Sequence, residues 1–232
     1  MVLKLENISS MKKIAIVTPH CDDETIGCGG TILKHVKNGD QVFWIIVTKP
    51  HKRIGFDNIK LKKHAEIIKK ISSIYKFQKT YELNFPAAEL DTIPQKEIIS
   101  KITKIYNDEK IQVVYQPFYG DVHGDHKIIS ECSTSSVKWF RNNSVEKVLE
   151  YETISETDFS LNDKNIFFPN MFVDISEFIE SKIDICKIYK DEFGEHPFPR
   201  SLKNIESLSI LRGSSSGFKH AEAFKILKLL IN

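Results

Sequence analysis

An α/β fold with a mostly parallel, helix-covered sheet is predicted by three features of this 232-residue chain. The continuous apolar run Ile14-Ala15-Ile16-Val17 reads as a buried parallel strand, because a strand with one wet face alternates, and further strand-like runs follow it. Segments with apolar residues at helical spacing separate these runs. Two dense polar clusters, His20-Cys21-Asp22-Asp23-Glu24 and His123-Gly124-Asp125-His126, each follow an apolar strand-like run.

The first strand spans Lys12 to Thr18. A helix from Gly30 to Asn38 carries Ile32, Leu33 and Val36, with Gly39 as its C-cap. Gln41 to Thr48, rich in β-branched and aromatic residues, forms the second strand, and a basic loop containing His51, Lys52 and Arg53 follows. Residues 59 to 75 form the second helix, and Tyr81 to Phe85 a short third strand. A third helix runs from Asp91 to Tyr106, with Pro94 in its first turn. Ile111 to Gln116 is the fourth strand. Lys127 to Phe140 has mixed helical spacing, Val145 to Thr153 suggests a fifth strand, and Phe172 to Ile175 a sixth. Ser176 caps a helix reaching Tyr189, Asp191 to Arg200 is an ordered loop, and an amphipathic helix from Ala221 to Leu230 closes the chain.

For such a sheet one familiar strand order is 3-2-1-4-5. It places strands 1 and 4 side by side at the reversal point, and ligands bind beyond their carboxyl ends. Both polar clusters follow those two strands. A single domain over residues 1–232 is expected, with residues 1–10, before Met11, as an N-terminal extension.

Composition narrows the function. The net charge of +2 gives no reason to expect nucleic acid or an anionic membrane as a partner. No apolar run approaches the ~18 residues of a membrane span, and the start lacks a secretory h-region. The four cysteines form no CxxC pair, which suits a reduced, cytoplasmic setting. Self-association into a homo-oligomer is left open.

Neighbouring carboxylates repel and resist burial unless a cation or donors compensate them, so the first cluster invites a divalent metal. His20 and Asp23 are three residues apart, as are His123 and His126, and each pair can face one side of a tight turn. A catalytic mononuclear site needs three protein ligands and an open position. His20, Asp23 and one histidine of the second cluster supply that set. Asp22, left uncoordinated, is suited to take a proton from water on the metal, and His123 with Asp125 to stabilise an oxyanion or protonate a leaving amine.

PHCDDE with the glycine-rich segment after it, and the HxDH-type turn after the fourth strand, resemble the PIG-L/LmbE-like family of zinc-dependent N-acetyl-sugar deacetylases. Arg212-Gly213 followed by Ala221-Glu222-Ala223-Phe224 is similar to that family's ending, so the likeness runs from about Met11 almost to the end. It implies a Rossmann-like three-layer sandwich in the order 3-2-1-4-5 plus an extra strand, with helices on both faces. It further implies zinc on His20, Asp23 and His126, Asp22 as general base, and His123 with Asp125 as the auxiliary pair. The implied reaction removes the acetyl group of a small N-acetylated amino sugar. Arg53, His196 and Arg200 are expected to contact substrate; Asp121 stands where some relatives carry a tyrosine that helps the oxyanion, so that either His123 acts there alone or Asp121 orients substrate instead. Thr18 and Cys21 also depart from the usual motif.

The ligand set equally suits ferrous iron. His35, His51, His64 and His220 read as structural or exposed, and Glu24 as an acid opposing the helix dipole. Gly27, Gly29 and Gly30 do not form GxGxxG, which argues against nucleotide binding. The alternative to an enzyme is a non-catalytic sugar- or nucleotide-binding protein on the same fold. Asp22 favours the hydrolase, because a binding protein has no use for an uncoordinated carboxylate beside the ligands.

Overall fold

A computed structural model of the chain describes residues 11–161, 163 and 165–231, and the expected N-terminal extension lies outside them. The first half alternates strand and helix: β1 (Lys13–Thr18), α1 (Asp23–Lys37), β2 (Gln41–Lys49), α2 (Asn58–Tyr75), β3 (Lys79–Pro86), α3 (Gln95–Glu109) and β4 (Val113–Pro117). Then come α4 (Gly124–Ser136), β5 (Lys147–Tyr151), β6 (Met171–Asp174), α5 (Ile179–Cys186), α6 (Leu202–Ser214) and β7 (Ala221–Leu229).

The strands form one sheet in the order β3-β2-β1-β4-β5-β7-β6. The first five are parallel, as predicted, and β7 runs antiparallel to both β5 and β6. Strand alternation sends Ile14, Ile16, Trp44 and Tyr115 to one face, where they meet Ile32 of α1 and Ile71 and Tyr75 of α2. Ala15, Val17, Phe43 and Ile45 go to the other, against Ile98 and Ile102 of α3 and Ile129 of α4. Both faces are covered, which accounts for the unbroken apolar runs in β1 and β2.

The segment Ala221–Leu229 corrects an expected helix to a strand. Its apolar spacing satisfies both periods, and pairing decides: residues 221–224, which are buried, pair with β6, and residues 224–229 pair with β5. Helix α6 has no counterpart among the expected elements, because its buried positions, Ile205, Ser209 and Gly213, form only a narrow stripe. Its one local signal is Ser201, whose side chain accepts from Asn204 N. The last α/β helix is shorter than expected, starting at Ile179, because Ser176 donates instead to Asp174.

Helix α1 begins seven residues earlier than Gly30, so the glycine-rich segment lies inside it. The reason is close packing. A Cβ on Gly27 would lie 2.3 Å from the Tyr151 ring, and one on Gly30 would lie 2.6 Å from Ile175. Lys182 of α5 reinforces the contact, donating to Ile26 O at 2.8 Å and to Glu222 of β7 at 2.7 Å. Glu222 in turn accepts from the Gly30 and Thr31 amides. This buried ion pair is hydrogen-bonded from both partners and pins α1 to α5 and β7. No helix among the described residues is long and apolar enough to cross a membrane.

Candidate active site and metal centre

β1 ends at Thr18, and Pro19 stops the strand while its carbonyl accepts from both the amide and the hydroxyl of Thr48 on β2. The Asp22 carbonyl accepts from Thr25 and Ile26, so α1 starts immediately and throws Asp22 and Asp23 into its first turn. Asp23 there accepts from the His20 amide at 2.8 Å. Beyond β4, His123 caps α4 by accepting from the Asp125 amide at 3.1 Å, which places His126 in the first turn of α4. Strands 1 and 4 are neighbours, so the two turns face each other.

The ligand atoms of His20, Asp23 and His126 lie within 4.8 Å of one another. His20 Nδ1 is 3.4 Å and His126 Nε2 3.5 Å from Asp23 Oδ2. Asp23 Oδ1 and His126 Nε2 are buried without a hydrogen-bond partner, an arrangement that costs free energy unless a cation takes both. The other nitrogen of His126, Nδ1, is 2.8 Å from Asp121, whose second oxygen accepts from Thr157. That is the carboxylate–histidine pairing that orients an imidazole toward a metal.

The electrostatics agree. Burial disfavours charge on Asp23, yet His126 and His20 hold it well below the usual carboxylate range. Burial likewise opposes protonation of His20, but Asp125 and Asp23 outweigh it and raise its pKa to about 10. The cluster therefore demands positive charge among its carboxylates, which protons or a divalent ion supply. Two imidazoles and one carboxylate, each offering a ligand atom within 4.8 Å of the others, fit a zinc or ferrous ion.

Asp22, 3% exposed, points elsewhere. Its Oδ2 accepts from Arg200 Nη1 at 2.8 Å, and the same guanidinium holds Ser155 at 2.7 Å and Glu156 at 3.1 Å. Burial, with Asp23 beside it, pushes Asp22 up to about 6 against the pull of Arg200. His20, Asp22, His123 and Arg200 line one cavity of about 220 Å³.

Not every expected residue reaches it as foreseen. The Asp125 carboxylate accepts from the Ala88 amide at 2.7 Å and faces His20 Nε2 at 3.2 Å; it lies within 4.8 Å of a His123 ring nitrogen, and the hydrogen bond between the two residues runs from the Asp125 amide to His123 Nδ1. Asp121 stands behind His126, fully buried, away from any substrate. Arg53 is exposed and pairs with Glu89 at 2.5 Å on the surface. His196 is exposed and faces Asn204. Conversely His64, expected to be structural or exposed, lines the cavity with its Nε2 3.1 Å from Cys21 Sγ. Nothing in its helical spacing marks it out.

The family model for PIG-L, GlcNAc-PI de-N-acetylase, matches residues 15–137, which contain both motifs. The chain belongs to the PIG-L family. A diacetylchitobiose deacetylase of Thermococcus kodakarensis is 24% identical over 238 residues, covering 96% of this chain and 85% of its own. Among solved structures, the N,N'-diacetylchitobiose deacetylase of Pyrococcus horikoshii superposes with a TM-score of 0.77 at 22% identity, covering 97% of this chain and 88% of its own. A 4-carboxy-2-hydroxymuconate hydratase from Pseudomonas putida superposes with a TM-score of 0.75 at 13% identity, covering 96% and 98%. The PIG-L fold thus hosts more than one reaction, and the chemistry has to be argued from the site.

Proposed function

We propose that this PIG-L family chain hydrolyses the acetamide of a small N-acetylated amino sugar, with His20, Asp23 and His126 holding a divalent metal, most simply zinc. The observation that carries this is the convergence of those three side chains, with Asp23 Oδ1 and His126 Nε2 buried and unpartnered, beside a cavity that Asp22 also lines. When bound, the metal supplies Lewis acidity for the amide carbonyl and for water.

The remaining work falls to the chain's own groups. Asp22 takes the proton of the attacking water, and a carboxyl with a pKa of about 6 is matched to that task near neutral pH. His123 Nδ1 accepts from the Asp125 amide, so in the neutral ring the proton sits on Nε2. Burial keeps that ring neutral, with His20 and His126 adding to the effect. Its Nε2–H is then a donor for the oxygen that gains charge as the carbonyl carbon becomes tetrahedral. Collapse breaks the C–N bond, the proton on Asp22 passes to the nitrogen, and acetate and a free amine leave.

Asp125 supports His20 through its ring, and Asp121 supports His126. Four free, buried cysteines suit a cytoplasmic location, which is our reading, together with organisation as one domain. Amine release from a panel of N-acetyl sugars tests the proposal. Asp22→Asn is expected to keep the metal and lose at least about two orders of magnitude in rate; unchanged turnover would refute the role of Asp22.

A further inference from the structure

A second cavity, of about 270 Å³, opens between α6 and residues 152–158, the segment that follows β5, and it shares no wall residue with the catalytic cavity. Both of its walls lead to the proposed catalytic groups. On the first wall Ser155 and Glu156 hold the Arg200 guanidinium that pairs with Asp22, while Thr157, which lines the cavity, donates to Asp121 at 2.5 Å behind His126. On the second, α6 starts at Leu202, directly behind Arg200 and the capping Ser201, and Asn204 donates to the Pro199 carbonyl at 2.9 Å. A molecule bridging the two walls bears on the general base and on a metal ligand together.

The lining states what fits. Ile154, Leu208 and Leu211 give the cavity an apolar side, and Ser207 and Thr153 bring hydroxyls, the second of them buried and without a hydrogen-bond partner among the described residues. A sugar ring offers the same two characters, C–H groups on its face and hydroxyls around its edge. The volume lies just under the roughly 300–1,000 Å³ of drug-sized sites, which suits a single ring. Glu152 and Asp158 are the charged residues of the lining, and no lysine, arginine or histidine joins them among the described residues, so an anion is disfavoured and an ammonium group favoured. Glu152 is already bound by Arg212 at 2.6 Å. Asp158 accepts from a neutral group, the Ser155 amide at 2.6 Å, and so is the acid that an ammonium would meet.

The geometry points to a second sugar site, in which this cavity receives one amino-sugar ring with a free ammonium group and transmits its presence to Arg200 and Asp121. The deacetylation proposed above releases an amine of that kind, so the link to the enzyme's own product rests on that reading. The site and its coupling do not.

Calorimetric titration of the zinc-equilibrated chain with glucosamine, and with glucose as the ligand lacking the amine, tests the site. The wild type is expected to bind glucosamine more tightly than glucose, and Ser207→Trp, which fills the cavity from an exposed position on α6, to lose that binding. Asp158→Asn keeps an acceptor for the Ser155 amide but not the charge, and is expected to weaken glucosamine about twofold to fivefold, the scale of an exposed ion pair. Equal glucosamine binding by the wild type and Ser207→Trp overturns the site, and an unchanged affinity in Asp158→Asn overturns the amine assignment. Coupling is read by chelator competition for zinc: glucosamine is expected to shift zinc affinity at least about fivefold in the wild type and not in Ser207→Trp. No shift, or the same shift in both, overturns the coupling. None of these measurements uses turnover, so failure of every N-acetyl sugar to release amine counts against the deacetylase reading alone.

Discussion

Arg200 Nη1 lies 2.8 Å from Asp22 Oδ2, so the carboxylate proposed to accept the water's proton is itself held in an ion pair. Burial and Asp23 raise the Asp22 pKa, and Arg200 restrains the rise. The pair sets both the direction of the carboxylate and the pH at which it becomes a base.

The consequence for pH follows from the sign. Asp22 acts deprotonated, so kcat/KM rises as pH passes through its pKa. Removing the Arg200 cation lets that pKa climb, and the acid limb of the profile moves to higher pH. Arg200→Ala is expected to lose about tenfold at pH 7 and to recover much of it by pH 9, whereas Arg200→Lys shifts less. A pH-rate profile checks this, because a merely structural loss lowers the rate by the same factor at every pH.

Asp121 makes a separable prediction. It touches no substrate-facing surface but holds His126 Nδ1 at 2.8 Å. Asp121→Asn is expected to weaken metal affinity about 10- to 100-fold, the usual loss when a carboxylate behind a ligating histidine is removed. Competition against a chelator measures it, and wild-type affinity in the variant would remove Asp121 from the account.

The glycines of α1 test the packing. Gly27→Ala brings a methyl group to 2.3 Å from the Tyr151 ring. Alanine gains about 1 kcal/mol of helix propensity. Overpacking costs about 1–3 kcal/mol, so the net change is expected to be destabilising. Tyr151 also donates to Val17 O at the end of β1, so its displacement reaches the catalytic turn. Gly124→Ala is the control, since nothing lies within 4 Å of its Cβ. Urea unfolding of both variants gives the comparison, and equal stability of the two would contradict the packing argument.

Much of this architecture was legible because chemistry and pattern coincided. The unbroken runs of β1 and β2 demanded a sheet covered on both faces, and the polar clusters demanded a place where charge is tolerated, which the edge beyond strands 1 and 4 supplies. Residues 221–229 were misread because Ala-Glu-Ala-Phe-Lys-Ile satisfies helical and strand periods alike, and only the neighbours β5 and β6 choose between them. The glycines of α1 hid a helix start, since the cost of glycine in a helix is outweighed by contacts with Tyr151 and Ile175 that no local window contains. Among site residues, His20, Asp23 and His126 were readable from spacing and resemblance together. The direction of the Asp125 carboxylate toward His20 and the retreat of Asp121 behind His126 were not, because both depend on side-chain placement across separate elements.

The account depends on one cation shared by two distant turns, and metal content measures that directly. Protein equilibrated with a small molar excess of zinc or ferrous ion and then desalted is expected to retain one equivalent per chain. Asp23→Ala and His126→Ala, still folded by circular dichroism, are expected to retain almost none. A wild-type chain that keeps no ion, or variants that hold it as tightly as the wild type, would contradict the assignment of His20, Asp23 and His126 as its ligands.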